Sequence, residues 1–119
     1  MRRRRRFARI CILVAALWLV GCGGGGKAAQ RELDLDVRAG ALPADKQLIH
    51  AAQGDEIVLR WSTDEPITIH LHGYDIEKDL KPGAVITMWF VATATGRFPI
   101  TRHGRGEETP LAYLEVHPR

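Results

Sequence analysis

Three histidines carry the most suggestive chemistry in this 119-residue sequence: His70 and His72, two residues apart, and His103 further along. The pair lies in residues 67–75, Ile-Thr-Ile-His-Leu-His-Gly-Tyr-Asp, where apolar and polar residues alternate before a glycine ends the pattern. In a strand that alternation sends both imidazoles to one face, about 6.6 Å apart along the chain. Rotation about the side-chain torsions can then bring both rings to one ion at metal–nitrogen distances near ~2.0 Å. An all-imidazole set of His70, His72 and His103 suits Cu(II) or Zn(II). Two readings stay open: a metal-binding edge of a β domain, or polar residues on a solvated strand face. Asp75 and Glu107 are the carboxylates placed to support such rings, while His50 and His117 read as surface residues.

No other grouping suggests reaction chemistry. Asp64-Glu65 and Glu107-Glu108 are adjacent carboxylates on turns, where neighbouring side chains point apart. There is no Gly-x-Ser-x-Gly elbow, and the glycine run at residues 23–26 precedes no strand and helix that could cradle a phosphate. A non-enzymatic role is the expectation.

The elements that would position the histidines begin only after an N-terminal address. Five arginines, Arg2 to Arg6, with Arg9, precede an uncharged, mostly aliphatic run at residues 10–20. That run is too short to cross a bilayer, which needs about 20 residues, but it suits the apolar core of a signal peptide. Leu19-Val20-Gly21-Cys22 resembles the lipobox of bacterial lipoproteins, which implies cleavage before Cys22 and lipidation of its side chain. Residues 1–21 then form a lipoprotein signal peptide, 22–31 a flexible Gly-rich tether and 32–119 the folded domain. Gly23 in place of an aspartate implies, by the same resemblance, the outer membrane, with the domain facing the periplasm and the lipid as its membrane partner.

Charge is read on that mature form. Of 17 Lys and Arg, six lie in the signal, leaving 11 against 14 Asp and Glu, a net charge of −3. The remaining basic residues are scattered, so no nucleic-acid partner is expected. Cys11 leaves with the signal and Cys22 is acylated, so the domain has no disulfide and stands on its core alone.

From residue 33 the pattern has a period of two. Leu33, Leu35 and Val37 alternate with charged residues; further strands are expected at residues 47–51, 56–63, 67–71, 85–92, 97–102 and 111–117. In the fifth of these, Ile86, Met88 and Phe90 are assigned inward, which leaves Trp89 outward. Residues 73–83 read as a surface connection and 103–110 as a polar loop. About seven short strands with turn signals between them indicate an all-β fold, an antiparallel Greek-key β-sandwich.

The order of Gly54-Asp55-Glu56-Ile57-Val58-Leu59, Ser62-Thr63-Asp64, His70-Leu71-His72-Gly73-Tyr74, Pro82-Gly83 and Thr95-Gly96-Arg97-Phe98 resembles the cupredoxin family. It looks most like the cupredoxin-like domains of bacterial envelope proteins, and more distantly the copper domain of cytochrome oxidase subunit II. The resemblance implies that His70, with His72 as the competing registration, stands at the first copper ligand. It also implies a cysteine four residues after Phe98, where this chain has Arg102. A blue site depends on a copper–thiolate bond, so blue-copper electron transfer is not expected. The resulting function is a lipid-anchored, non-catalytic binding or interaction module without a blue copper centre; the alternative is a copper or zinc handling protein using His70, His72 and His103.

Overall fold

The computed structural model describes residues 26–104 and 106–119; the basic head, the apolar run and Cys22 lie outside the described residues. Eight strands follow in order: β1 (Gln30–Val37), β2 (Leu48–Ala52), β3 (Glu56–Thr63), β4 (Ile67–Leu71), β5 (Ile76–Leu80), β6 (Ile86–Val91), β7 (Gly96–His103) and β8 (Glu108–His117). The only helical element among the described residues is a single 3₁₀ turn at Ala44–Lys46.

The strands form two sheets, of order β1-β3-β6 and β2-β8-β7-β4-β5. The chain crosses from one sheet to the other after β1, β2, β3, β5 and β6, so consecutive strands mostly face each other across the core instead of pairing. This is the expected β-sandwich, with two differences in pairing. The β1–β3 and β2–β8 ladders are parallel; neither pair is joined by a hairpin, and each connection passes through at least one strand of the opposite sheet. Alternation reports which face is buried and carries no information on strand direction.

Along each strand the period-two pattern is realised as burial. In β3, Ile57, Leu59 and Trp61 are fully buried, as are Ile69 and Leu71 in β4, where Ile67 is nearly so. Met88 and Phe90 of β6 point inward and Trp89 outward at 60% exposure, matching the inward set read from sequence. Leu35, Ile49, Ile100 and Leu114 complete a continuous core. Each such side chain stabilises the fold by about 1.5–3 kcal/mol relative to exposure.

Three expectations are corrected. Residues 73–83 are not a plain connection: β5 lies within them and pairs antiparallel with β4, His70 opposite Glu77. Its residues Glu77, Lys78 and Asp79 are polar on both faces, as an edge strand permits, so periodicity did not reveal it. The last strand starts at Glu108, three residues before the expected start, which shortens the polar loop to residues 104–107. The first strand already begins at Gln30, within the stretch read as tether.

Asp55 explains that early start. Its buried carboxylate accepts hydrogen bonds from the backbone N–H of Ala29 and Ala52, each at 2.9 Å, and from Arg31 Nε at 2.9 Å. Arg119 donates to the same group. The Ala29 and Ala52 amides, then Arg31, hold the Asp55 carboxyl far below the usual carboxylate range against the opposing effect of burial. One side chain therefore ties the start of β1, the end of β2 and the C-terminus together.

Candidate metal centre

His70 leaves β4 between the inward residues Ile69 and Leu71, so its ring lies on the outer face of the five-stranded sheet. The His72 amide continues the pairing beyond β4, donating to the Pro99 carbonyl at 3.0 Å, and the alternation carries the His72 ring to the same face. The chain then turns at Gly73, with φ of 83°. A β-carbon there would come within 2.3 Å of the Phe98 ring, so this position requires glycine on both counts. Tyr74 closes the turn: its hydroxyl donates to the Ala94 carbonyl at 2.8 Å, and its ring packs edge-on against Phe98. The Gly-Tyr after the histidine pair thus fixes where the rings stand.

The two rings meet, with centroids 4.1 Å apart. Opposite His70 on β7 is Thr101. The His72 Nε2 lies 2.9 Å from Thr101 Oγ1 and 2.6 Å from Glu108 Oε1, and the Thr101 hydroxyl donates to the same Glu108 oxygen at 2.7 Å. The Thr101 hydrogen bond first, and the His72 bond second, hold the Glu108 carboxyl below its ordinary range. Ligand atoms of His70, His72 and Glu108 all lie within 4.8 Å of one another.

Glu108 reaches this face because of a β-bulge. The β7–β8 register shifts between Ile100 and Thr101: Ile100 pairs with Ala112, but Thr101 pairs with Pro110, leaving Leu111 as the extra residue. Leu111 and Ala112 are consequently both buried. Counting back from the outward Glu115, strict alternation would send Glu108 into the core; the extra residue inverts the parity and turns it outward. Sequence reading placed Glu107 and Asp75 near the rings. Asp75 Oδ1 lies 3.5 Å from His70 Nε2 on an otherwise exposed side chain, whereas Glu108, read as one of two solvated carboxylates, holds the central position. No signal short of the consecutive buried Leu111-Ala112 marks the bulge.

His103, the third residue expected at the site, ends β7 opposite Glu108. Its ring centroid is 6.2 Å from that of His70, and its Nε2 lies 3.7 Å from Glu108 Oε1. Glu108 thus has imidazoles on both sides, and His70 lies nearer to His72 than to His103. A cleft of about 680 Å³ opens beside His103, between Glu65 to Thr68, Asp79 to Lys81 and Arg102 to Gly104, and does not include His70, His72 or Glu108.

Two imidazoles and a carboxylate are borderline donors that suit Zn(II) or Cu(II), and three protein ligands leave a coordination position open. The same residues do not fit a blue copper centre. Arg102, at the position where the family resemblance implies a thiolate, pairs with Ile69 and so faces the opposite side of the sheet from His70. Its Nε is buried without a hydrogen-bond partner, and its guanidinium packs against Gly40, where a β-carbon would lie 2.9 Å away.

No protein-family model matches the chain, and no curated protein matches it. Solved structures do. A chain of a heme-copper terminal oxidase dimer superposes with a TM-score of 0.64 at 16% identity, over 91% of this chain and 78% of that one. A copper binding protein in its apo form gives 0.60 at 14% identity, over 78% and 93%. The periplasmic domain of subunit II of the cytochrome oxidase of Bradyrhizobium japonicum gives 0.57 at 15% identity, over 73% and 83%. At these identities the likeness shows the fold, which is a cupredoxin-like sandwich.

Proposed function

From this cupredoxin-like sandwich we propose a copper- or zinc-handling protein of the bacterial cell envelope, which binds one ion through His70, His72 and Glu108. The observation that carries the reading is the bulge-directed meeting of Glu108 with His72, on a face that also carries His70 and His103. It favours metal handling over the metal-free interaction module that the sequence ranked first.

Each side chain has a distinct task. Thr101 donates to Glu108 and orients its carboxylate. Glu108 holds the His72 ring through Nε2, so ligation through that nitrogen would exchange the contact with Glu108 for the ion. His70 would supply the second imidazole from the adjacent position, and His103 lies beside the carboxylate as a further imidazole. The open coordination position admits a donor from a receiving molecule, which suits transfer of the ion rather than permanent storage. The role is binding, not catalysis, and copper is the ion favoured by the fold.

The envelope location rests on the lipobox-like Leu19-Val20-Gly21-Cys22, with Cys22 as the lipid-bearing residue and the outer membrane as destination. Palmitate labelling tests it: Cys22→Ser is expected to abolish incorporation, and retained label would remove the anchor from the account. The site is tested by titrating Cu(II) and Zn(II) into the mature chain beside a His70→Ala/His72→Ala variant. The wild type is expected to bind at least a hundredfold more tightly there; equal affinity would sink the proposal.

A further inference from the structure

The strand that supplies Glu108 carries a second carboxylate among histidines at its other end. His50 of β2 stands opposite Glu115 in the parallel β2–β8 ladder, and His117 follows two residues after Glu115 on the same outward face. His50 Nδ1 lies 3.4 Å from Glu115 Oε2, and His117 Nε2 lies 3.9 Å from the same oxygen. The two rings stack with centroids 5.8 Å apart and an interplanar angle of 18°. Ligand atoms of all three residues lie within 4.8 Å of one another.

We propose that His50, Glu115 and His117 form a second, independent site for a divalent transition-metal ion, so that the domain takes two ions on one sheet face. The donor set is again two imidazoles and a carboxylate, the chemistry of Zn(II) and Cu(II) and not of Mg(II) or Ca(II), which take oxygen donors. Separation along β8 keeps the sites apart: Glu108 and Glu115 are seven positions apart on it, roughly 20 Å at strand rise.

Two features make this site the weaker one. His50 and His117 are exposed, so their rings are not held in place by packing. Arg97, opposite Glu115 on β7, approaches its other oxygen at 3.7 Å and is itself held over the Tyr113 ring at 4.3 Å. A bound dication would share the carboxylate with that guanidinium. An ion here would also join β2, the edge strand, to β8 through side chains.

The inference stands apart from the proposed function, because neither site shares a residue with the other. The test is Zn(II) titration of the full mature chain by calorimetry, repeated on His50→Ala/His117→Ala, on His70→Ala/His72→Ala and on the four-fold variant. Expected stoichiometries are two, one, one and none, with the site left in the His70/His72 variant binding at least about tenfold more weakly than the site left in the other. Two ions retained by His50→Ala/His117→Ala, or one ion only in the wild type that the His70/His72 change alone removes, overturns the second site. One ion only in the wild type, removed by the His50/His117 change, instead overturns the proposed function and leaves this inference standing. Broadening of the His50 and His117 imidazole resonances by substoichiometric Cu(II) in the His70/His72 variant gives a second readout; unbroadened resonances count against the site.

Discussion

The two ends of β8 present the same residue types in different mechanical states. At its start, His72, Thr101 and Glu108 are joined by three contacts of 2.6–2.9 Å, and Thr101 is buried. At its end, His50, Glu115 and His117 stand 3.4–3.9 Å apart with exposed rings, and Arg97 competes for the carboxylate. Composition and spacing alone do not separate these groups. The first is built by a bulge and a buried hydroxyl, the second by register between two regular strands. The lesson is that preorganisation, more than donor identity, sets how well each end can hold an ion.

The largest effect that sharpens the contrast concerns Asp55, which anchors the end of β2 at Ala52, two residues beyond His50. Asp55→Ala removes the buried acceptor of the Ala29 and Ala52 amides, of Arg31 and of Arg119, and is expected to lose about 3 kcal/mol in urea unfolding, at about 1.5–3 kcal/mol per hydrogen bond to a charged group. Hydrogen exchange in the variant should speed up in β2 more than in β4. Because the folded Asp55 carboxyl is depressed, its contribution is fully present above the usual carboxylate pKa near ~4 and is lost as pH falls below it. Stability should thus drop in acid below about pH 4, less steeply in Asp55→Ala; an unchanged acid profile would contradict this role.

Next in size, Glu108→Gln should weaken Cu(II) binding at the His70–His72 end by about a hundredfold and leave the His50 end untouched. Thr101→Val keeps the volume of a buried side chain but removes the hydroxyl that orients Glu108. It is expected to reduce affinity about tenfold at that end alone, read by calorimetry; no change would mean that Glu108 needs no support. The smallest effect is Arg97→Met, which frees Glu115 and should tighten Zn(II) at the His50 end about threefold, with less gain at high salt.

Much of this arrangement was legible before any coordinates. Alternation of apolar residues put Ile57, Leu59 and Trp61 on one apolar face and turned Met88 and Phe90 inward, as the core has them, and the turn residues separated the strands. His70 and His72 share a face because period two leaves no other arrangement. What periodicity could not supply is whatever depends on partners. Strand β5 escaped because its edge position permits Glu77, Lys78 and Asp79, and the parallel ladders escaped because pairing direction is decided by the path through the opposite sheet. Glu108 was missed because one extra residue, Leu111, inverts the face of everything before it. His50 and His117 were correctly read as exposed, but their meeting depends on the β2–β8 register. Arg102 stands where the resemblance implies a thiolate, and the register places it on the other side of the sheet from the imidazoles.

The proposed ion site lies on the outer face, between His70, His72 and Glu108, and away from the core-facing position occupied by Arg102. The direct measurement is an anomalous difference map from crystals of the folded domain grown with one equivalent of Cu(II). The strongest peak is expected within bonding distance of both imidazoles and of the Glu108 carboxylate. A strongest peak between the two sheets near Arg102, or no peak at these three residues, would contradict it.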